Sequence, residues 1–527
     1  MTMTALQRPR LLMPWYPSIV LTCCLSTASA DLVRPAPWLA GVAADSVYVC
    51  LEADDANSTI VEYGLTAAYG QQRTTEYSEP TAYGNRAHNV HLTGLQPNAQ
   101  YHYRVAHGAS VSADYTFWTA PEPGTPARWG FAADSRSQTA VHDAMAGLIL
   151  AQNPRMMVYG GDLCTSGVSE FAYEYWSTEW FVPNQEALNA TAPWVNATGN
   201  HEQWNELTRA LTQAPAGDSP YFSFDYGDSH ILILNTELPY SPGSPQWDFA
   251  ANDLAAATAV WKVVAFHKSA YAAGGHGEEP GMVAMTQGLF EPHGVDLVLT
   301  GHNHFYQHNL VNDIHHMVLG SFGAPLYFPA VASYTILSEQ TYCFGIIDTT
   351  PSDLTLTTYR DDGSVIEVLR LHQLLGDVNG DGAVNGLDVD PFVDVLLGGA
   401  PDRATEFRSD MNGDGTVNGI DVAPFEDAVV TGGGNLLGDV NRDGYIDGLD
   451  VARFVDVLLS GRMDVRADMN ADGQVDGLDV DLFAAAVLEG GSRAVAEPMS
   501  ALLLAAGGFG LLAFRPARAA VRRGCRA

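Results

Sequence analysis

The chain has 527 residues, 46% hydrophobic and 10% aromatic, which excludes a wholly disordered polypeptide and is too long for one ordinary domain. Its formal net charge is -35, from 61 acidic against 26 basic residues, so no nucleic-acid-binding surface is expected. The surplus is uneven: residues 377–481 hold 23 acidic and 6 basic residues, a stretch suited to divalent cations or to simple solvation.

At the start, Arg8 and Arg10 precede an apolar run over 15–25 and then Ala28-Ser29-Ala30, the order of a secretory signal peptide spanning 1–30. A lipoprotein box at Val20-Leu21-Thr22-Cys23 fits less well, because Thr22 is too large. Residues 31–122 alternate as half-buried strands do, with runs at 47–49, 59–63 and 89–92 separated by turn residues. His88, His91, His102 and His107 show no metal spacing and are read as strand or surface residues. Leu95, Pro97, Tyr101, Tyr103 and Val105 share a spacing that resembles the tyrosine corner of a fibronectin type III β-sandwich. Pro121-Glu122-Pro123-Gly124 is a linker. Cys50, Cys164 and Cys343 are too few for a disulfide framework, although one pair stays open.

Residues 127–372 switch between apolar runs and a helical stretch. Strands are predicted at 129–133, 155–159, 194–198, 231–235, 261–266 and 296–300, and a helix at 141–152, which together make an α/β layered domain. Metal-ligand residue types follow these strands in order: Asp134, Asp162, Asn200, His267, then His302 and His304. Such sheets place their sites past the carboxyl ends of strands. Asp, Asn and His arranged in this way point to a two-metal hydrolytic site, in which paired cations about 3.5–4 Å apart clamp a phosphoryl group and activate water. Asp162 is the natural bridge, Asn200 offers an amide oxygen, and His302 and His304, two apart, point the same way on an extended segment. Cys164 reads as a soft ligand or, preferentially, a buried thiol. Glu202 is placed for a supporting role of the kind that orients metal-bound imidazoles, its partner left open by the sequence, while His142, His315 and His316 belong to no motif.

These motifs resemble the calcineurin-like metallophosphoesterases, and the preceding sandwich makes the chain most similar to the purple acid phosphatases. The resemblance implies a four-layer fold, a β-sandwich flanked by helices. It implies Asp134, Asp162 and His304 at a first metal, and Asp162, Asn200, His267 and His302 at a second. It also implies that His201 contacts the phosphate and that His276 protonates the leaving group. Fe, Zn and Mn all suit such ligands. Two positions depart from the family: Arg136 stands where the wider family has His, and Thr165 where purple phosphatases have Tyr. The first metal is therefore expected to bind more weakly, without a tyrosinate colour. Arg136 reaches either the phosphate, as a fixed cation, or a loop carboxylate.

After residue 375 a twelve-residue pattern repeats four times. Its oxygen ligands include Asp377, Asn379, Asp381 and Asp388; Asp410, Asn412, Asp414 and Asp421; Asp439, Asn441, Asp443 and Asp450; and Asp468, Asn470, Asp472 and Asp479. Alternate oxygens with Gly at position six form an EF-hand-like calcium loop, and an apolar helical stretch follows each copy. The pairs 377–432 and 439–490 resemble type I dockerin repeats, which implies α-helical calcium modules and a cohesin-like partner; a calcium-stiffened spacer is the alternative. At the far end, 496–527 holds Glu497-Pro498, an apolar stretch at 499–514 and five arginines, a pattern that resembles a PEP-CTERM sorting tail with a transmembrane segment. The expected protein is a secreted phosphoric ester hydrolase, acid-phosphatase-like, using a dinuclear centre and metal-activated hydroxide, held at the cell surface or outer envelope by its tail. The alternative is a catalytically weakened binding or adhesion protein that uses its sandwich and calcium repeats.

Overall fold

A computed structural model describes residues 31–212, 219–380, 382–413 and 415–431, and, further on, 438, 440, 446, 448, 450–460, 466, 467, 469 and 475–490. The signal segment 1–30, the tail 496–527, and Asp381, Asp414, Asp439, Asn441, Asp443, Asp468, Asn470 and Asp472 lie outside the described residues. No described helix is long and apolar enough to cross a membrane. The chain forms two compact units, Met1–Asn435 and Leu436–Ala527.

Two sheets form the centre of the first unit. One has ten strands in the order Val365–His372, Asp353–Arg360, Cys343–Thr349, Ala127–Ala132, Met157–Tyr159, Trp194–Asn196, Trp38–Ala40, Ser46–Ala53, Arg86–Thr93 and Tyr77–Pro80. The other runs Phe222–Tyr226, Ser229–Ile233, Trp261–Lys268, Leu297–Gly301, Ile314–Leu319, Tyr306–Val311 and Thr335–Glu339. Strand alternation sends every second side chain to each face. Trp129, Phe131, Val158 and Val195 from the first sheet meet Ile231, Ile233, Val263, Ala265, Leu297 and Leu299 from the second in one buried core. Their neighbours face outward. Met157, Tyr159 and Trp194 pack with Met145 and Ile149 of helix Thr139–Gln152 and with Leu188 of helix Pro183–Asn189. Val264, Phe266 and Val298 pack with Leu254 of helix Pro245–Ala256 and with Met282 and Met285 of helix Pro280–Met285. The result is four layers, helix–sheet–sheet–helix. Each large apolar side chain enclosed this way contributes about 1.5–3 kcal/mol.

The N-terminal region also packs two sheets. Val47, Val49, Leu51, Val90 and Leu92 face Val61, Tyr63, Tyr103, Val105 and Phe117. The Tyr101 hydroxyl accepts from the Gln96 backbone N–H at 3.0 Å, the contact expected of a tyrosine corner. The sheets of the two regions are continuous, however: Trp38–Ala40 pairs antiparallel with Ser46–Ala53 and parallel with Trp194–Asn196. The sequence reading separated them at the Pro121 linker and found no strand at 38–40, because three residues between Pro37 and Gly41 carry no readable period. Cys50, Cys164 and Cys343 are all free and buried, so the pairing left open by the sequence is not made.

Beyond the sheets lie helices Val389–Leu396, Arg403–Ser409 and Val422–Thr431. Phe392 stacks on Phe425 at 3.9 Å. The second unit repeats this arrangement with helices Asp450–Ser460 and Val480–Gly490, where Phe454 stacks on Phe483 at 3.9 Å.

Candidate metal centre

The strands that end at Ala132, Tyr159 and Gly301 turn sharply where they leave the sheets. Asp134, Asp162 and His302 sit there with φ of 61°, 56° and 67°. Asp and His tolerate this left-handed region better than bulkier residues, and a cluster of such positions marks a site that the surrounding fold holds in place. Two glycines make room. A Cβ on Gly199 would lie 2.3 Å from Asp162 Oδ1, and one on Gly301 would lie 2.3 Å from Asp134 Oδ2.

Six of the predicted residues converge. Ligand atoms of Asp162, His267 and His302 lie within 4.8 Å of one another, and so do those of Asp134, Asp162 and His304. Asp162 belongs to both groups. Its Oδ1 is 3.3 Å from His267 Nε2, and His304 Nε2 is 3.3 Å from Asp134 Oδ1. Asn200 Oδ1 and His302 Nδ1 each stand 3.2 Å from His267 Nε2. The backs of the ligands are held. His267 Nδ1 is bonded to the Gly160 carbonyl at 2.8 Å and His304 Nδ1 to the Pro325 carbonyl at 2.7 Å, which leaves each Nε2 facing inward. His302 N–H donates to Asp134 Oδ2 at 2.8 Å and His201 N–H to Asp162 Oδ1 at 2.9 Å. Asp134 Oδ1 is buried without a hydrogen-bond partner. An orphaned carboxylate oxygen beside converging imidazoles is what a cation would satisfy, and the nitrogen–oxygen donor set suits Zn, Fe or Mn.

The electrostatics agree. Burial pushes the Asp162 carboxyl up, but His267 and His201 outweigh it and hold the group well below the usual carboxylate range. Burial, then His267 and His276, pushes His302 down to about 2, so its ring stays neutral and keeps a lone pair to give. Burial also lowers His267, but Asp162, Asp134 and Glu202 reverse this and raise it to about 10. The negative field that retains that proton is the field a cation would enter.

The remaining predicted residues ring this centre. His201 is tied through Nδ1 to the Thr165 carbonyl at 2.6 Å, and its Nε2 lies 3.7 Å from Asp162 Oδ2. Arg136 Nε lies 3.5 Å from the same oxygen, so the guanidinium is at the carboxylate common to both groups. The His276 ring stacks on His302 at 4.2 Å, and its backbone N–H donates to Asn303 Oδ1 at 2.7 Å. Thr165 turns away, donating from N and Oγ1 to the two oxygens of Glu179.

Glu202 corrects an expectation. It hydrogen-bonds no imidazole; it accepts from the backbone N–H of Asp162 at 3.2 Å, that of Gly199 at 2.9 Å, and Asn196 Nδ2 at 3.1 Å. Burial, then Asp162, raises it to about 7. Backbone carbonyls do the work assigned to it. Cys164 lies in neither ligand group and is buried. His142 is a packing residue, bonded to the Glu179 carbonyl and to Gln185 at 2.9 Å each. His316 is buried, and His315 bonds His308 at 2.8 Å. Sequence reasoning missed Tyr327, whose ring stacks on His304 at 4.0 Å, because nothing ties it to a motif. It also missed a third ligand-type group, Asp54, Asp55 and His107, where His107 is already bonded to Thr59 and Asp55.

Comparison with known proteins follows the same divisions. The family model described as "Purple acid Phosphatase, N-terminal domain" matches residues 37–119, "Calcineurin-like phosphoesterase" matches 135–306, and "Dockerin type I domain" matches 375–425 and 437–488. Purple acid phosphatase 21 of Arabidopsis thaliana is 27% identical over 288 residues, covering 50% of this chain and 63% of that protein. An uncharacterized protein of Mycobacterium tuberculosis is 25% identical over 269 residues, covering 42% of this chain and 50% of that protein. The chain thus spans between half and just under two thirds of the length of these curated relatives. A purple acid phosphatase from yellow lupin (Lupinus luteus) seeds shares the fold, with a TM-score of 0.55 and 20% identity over 64% of this chain and 74% of that one. The chain is similar to the purple acid phosphatases, with a calcineurin-like phosphoesterase segment behind a purple-phosphatase-type N-terminal domain and two dockerin type I segments after it.

Proposed function

We propose that this protein is a secreted, metal-dependent phosphoric ester hydrolase of the acid-phosphatase type, working at a dinuclear centre. The observation that carries the reading is the sharing of Asp162 between two ligand groups, one with Asp134 and His304, the other with His267 and His302. A metal pair, when bound, supplies Lewis-acid charge to the phosphoryl oxygens and lowers the pKa of water. Asn200 completes the second position, its amide oxygen lying 3.2 Å from His267 Nε2. His201, anchored through Nδ1, offers Nε2 to a phosphoryl oxygen. Arg136 presents a fixed positive charge beside the bridging carboxylate, placed to bind a phosphoryl oxygen as charge develops. His276, stacked on His302, is positioned to give a proton to the leaving oxygen.

The assignment of Asp377, Asn379, Asp381 and Asp388, and of their three counterpart sets, to calcium belongs to the same reading, as does a cohesin-like partner for the dockerin-type segments. Retention at the cell surface or outer envelope through 496–527 completes it.

Hydrolysis of p-nitrophenyl phosphate and bis-p-nitrophenyl phosphate by the full chain, with Mn, Fe or Zn added, tests the catalytic part. Turnover is expected, falling at least ~100-fold in Asp162→Asn. Equal turnover in that variant would end the reading.

A further inference from the structure

The first dockerin-type segment is fastened to the phosphoesterase body by more than the chain that connects them. Helix Arg403–Ser409 stands between its two calcium-type loops, capped by the Asp402 side chain, which accepts from Thr405 N–H at 2.8 Å. Its first residue docks twice. Arg403 N–H donates to the Thr258 carbonyl at 2.8 Å, just ahead of strand Trp261–Lys268. The Arg403 guanidinium reaches Asp228 Oδ1 at 3.1 Å, and that carboxylate is wholly out of solvent. Asp228 also accepts from Gly124 N–H at 2.9 Å, in the linker between the N-terminal sheets and the body. Ala404 is buried in the same core as Trp261 and Leu297. At the helix's other end Arg408 Nη1 donates to Gln373 Oε1 at 2.9 Å, and the Arg408 carbonyl accepts from Gly376 N–H at 2.8 Å. Those contacts hold the exit of the last sheet strand, Val365–His372.

The loops on either side are built alike. Asp388 and Asp421 are fully buried. Asp388 accepts from Asn379 N–H at 3.0 Å and Asn385 N–H at 2.9 Å, while Asp421 accepts from Asn412 N–H at 3.2 Å and Asn418 N–H at 2.8 Å. Gly380, Gly382, Gly413 and Gly415 all take positive φ, from 73° to 83°. Buried carboxylates within an oxygen-only loop fit a calcium ion. The Phe392–Phe425 stack joins the helices that follow the two loops, and helix Arg403–Ser409 runs straight into Asp410, the first ligand position of the second loop.

We propose that calcium in the 377–431 pair stabilises the phosphoesterase body, through the docking of Arg403 on Asp228 and Thr258. This rests on the calcium reading of the loops and goes beyond the hydrolase reading. A ligand that binds only the folded state raises stability by mass action, and the gain extends to whatever unfolds together with its site. A repeat pair on a free tether would keep that gain to itself; one sharing a buried ion pair and core with the body passes it on.

The full chain carries its own reporter, because none of its 10 tryptophans lies beyond Trp261. Tryptophan fluorescence therefore follows the sheets and not the repeats. With calcium about 100-fold above its Kd, the thermal midpoint read by tryptophan is expected to rise by about 5 °C, with no such rise in magnesium. The double variant Asp388→Ala, Asp421→Ala is expected to abolish the rise. Arg403→Ala is expected to keep the calcium response of the far-ultraviolet helix signal while losing most of the tryptophan shift. The proposal is overturned if calcium changes the helix signal but leaves the tryptophan midpoint where it was, or if the shift survives in the double variant. It is overturned equally if calorimetry finds no calcium binding, an outcome that would leave the hydrolase reading standing.

Discussion

Gly199 and Gly301 lack side chains where two carboxylates need the space. Replacing Gly199 with Ala would put a methyl group 2.3 Å from both the backbone N and Oδ1 of Asp162, and neither can retreat without moving that carboxylate. Gly199→Ala is expected to cost about 1–3 kcal/mol of stability and to lower bound transition metal, read by urea unfolding and metal analysis. Wild-type values in both would show that Asp162 is not tightly seated. At this scale the sequence was informative where a ligand residue followed a strand within a Gly-Asp, Gly-Asn-His or His-x-His pattern. Asp162, His302 and His304 fall in such patterns, Asp134 and His267 only at strand ends, and the five come together in two ligand-type groups. It failed where a partner is distant in the chain. Tyr327 meets His304 across a loop, and Glu202 points into its own backbone rather than at a ring. Thr165 is the same kind of case, because its bond to Glu179 depends on the π-helical turn Trp176–Trp180.

The hairpin formed by Phe222–Tyr226 and Ser229–Ile233 meets helix Pro245–Ala256 at a buried histidine. His230 bonds Asp225 through Nδ1 at 2.8 Å and Asp253 through Nε2 at 2.9 Å. Burial lowers its pKa, but these two carboxylates reverse the effect and raise it to about 9. Because the folded value lies above the ordinary 6.5, the contribution is fully present below pH 6.5 and is lost as pH climbs through 9. Allowing for screening at the exposed Asp225, the contribution is roughly 2–3 kcal/mol. The stability difference between wild type and His230→Gln should therefore shrink from pH 6 to pH 9.5 in denaturant titrations. A difference constant with pH would refute the ion-paired histidine. Among elements, long alternating runs such as Trp261–Lys268 were legible, whereas Trp38–Ala40 was not. The latter is a strand because Ser46–Ala53 pairs with all three of its residues and Trp194–Asn196 adds a parallel pair on its other edge, facts about its folded neighbours and not about its own three residues.

Over the whole molecule, the order of parts was readable from composition and repeats, while their joints were not. One sheet runs without a break from the N-terminal region into the phosphoesterase layers, and helix Arg403–Ser409 ties the first repeat pair to both the body and the Gly124 linker. Each joint is made by residues far apart in sequence, and no local period announces them. The purpose of this scaffold, on the present account, is to bring five strand ends and loops to one shared carboxylate. Counting transition-metal ions per full-length chain by mass spectrometry, in wild type and in variants that touch one ligand group or both, tests that claim most directly. The account predicts two ions in wild type, one in His304→Ala, one in His267→Ala and none in Asp162→Asn. An Asp162→Asn protein that keeps its full metal complement would contradict it.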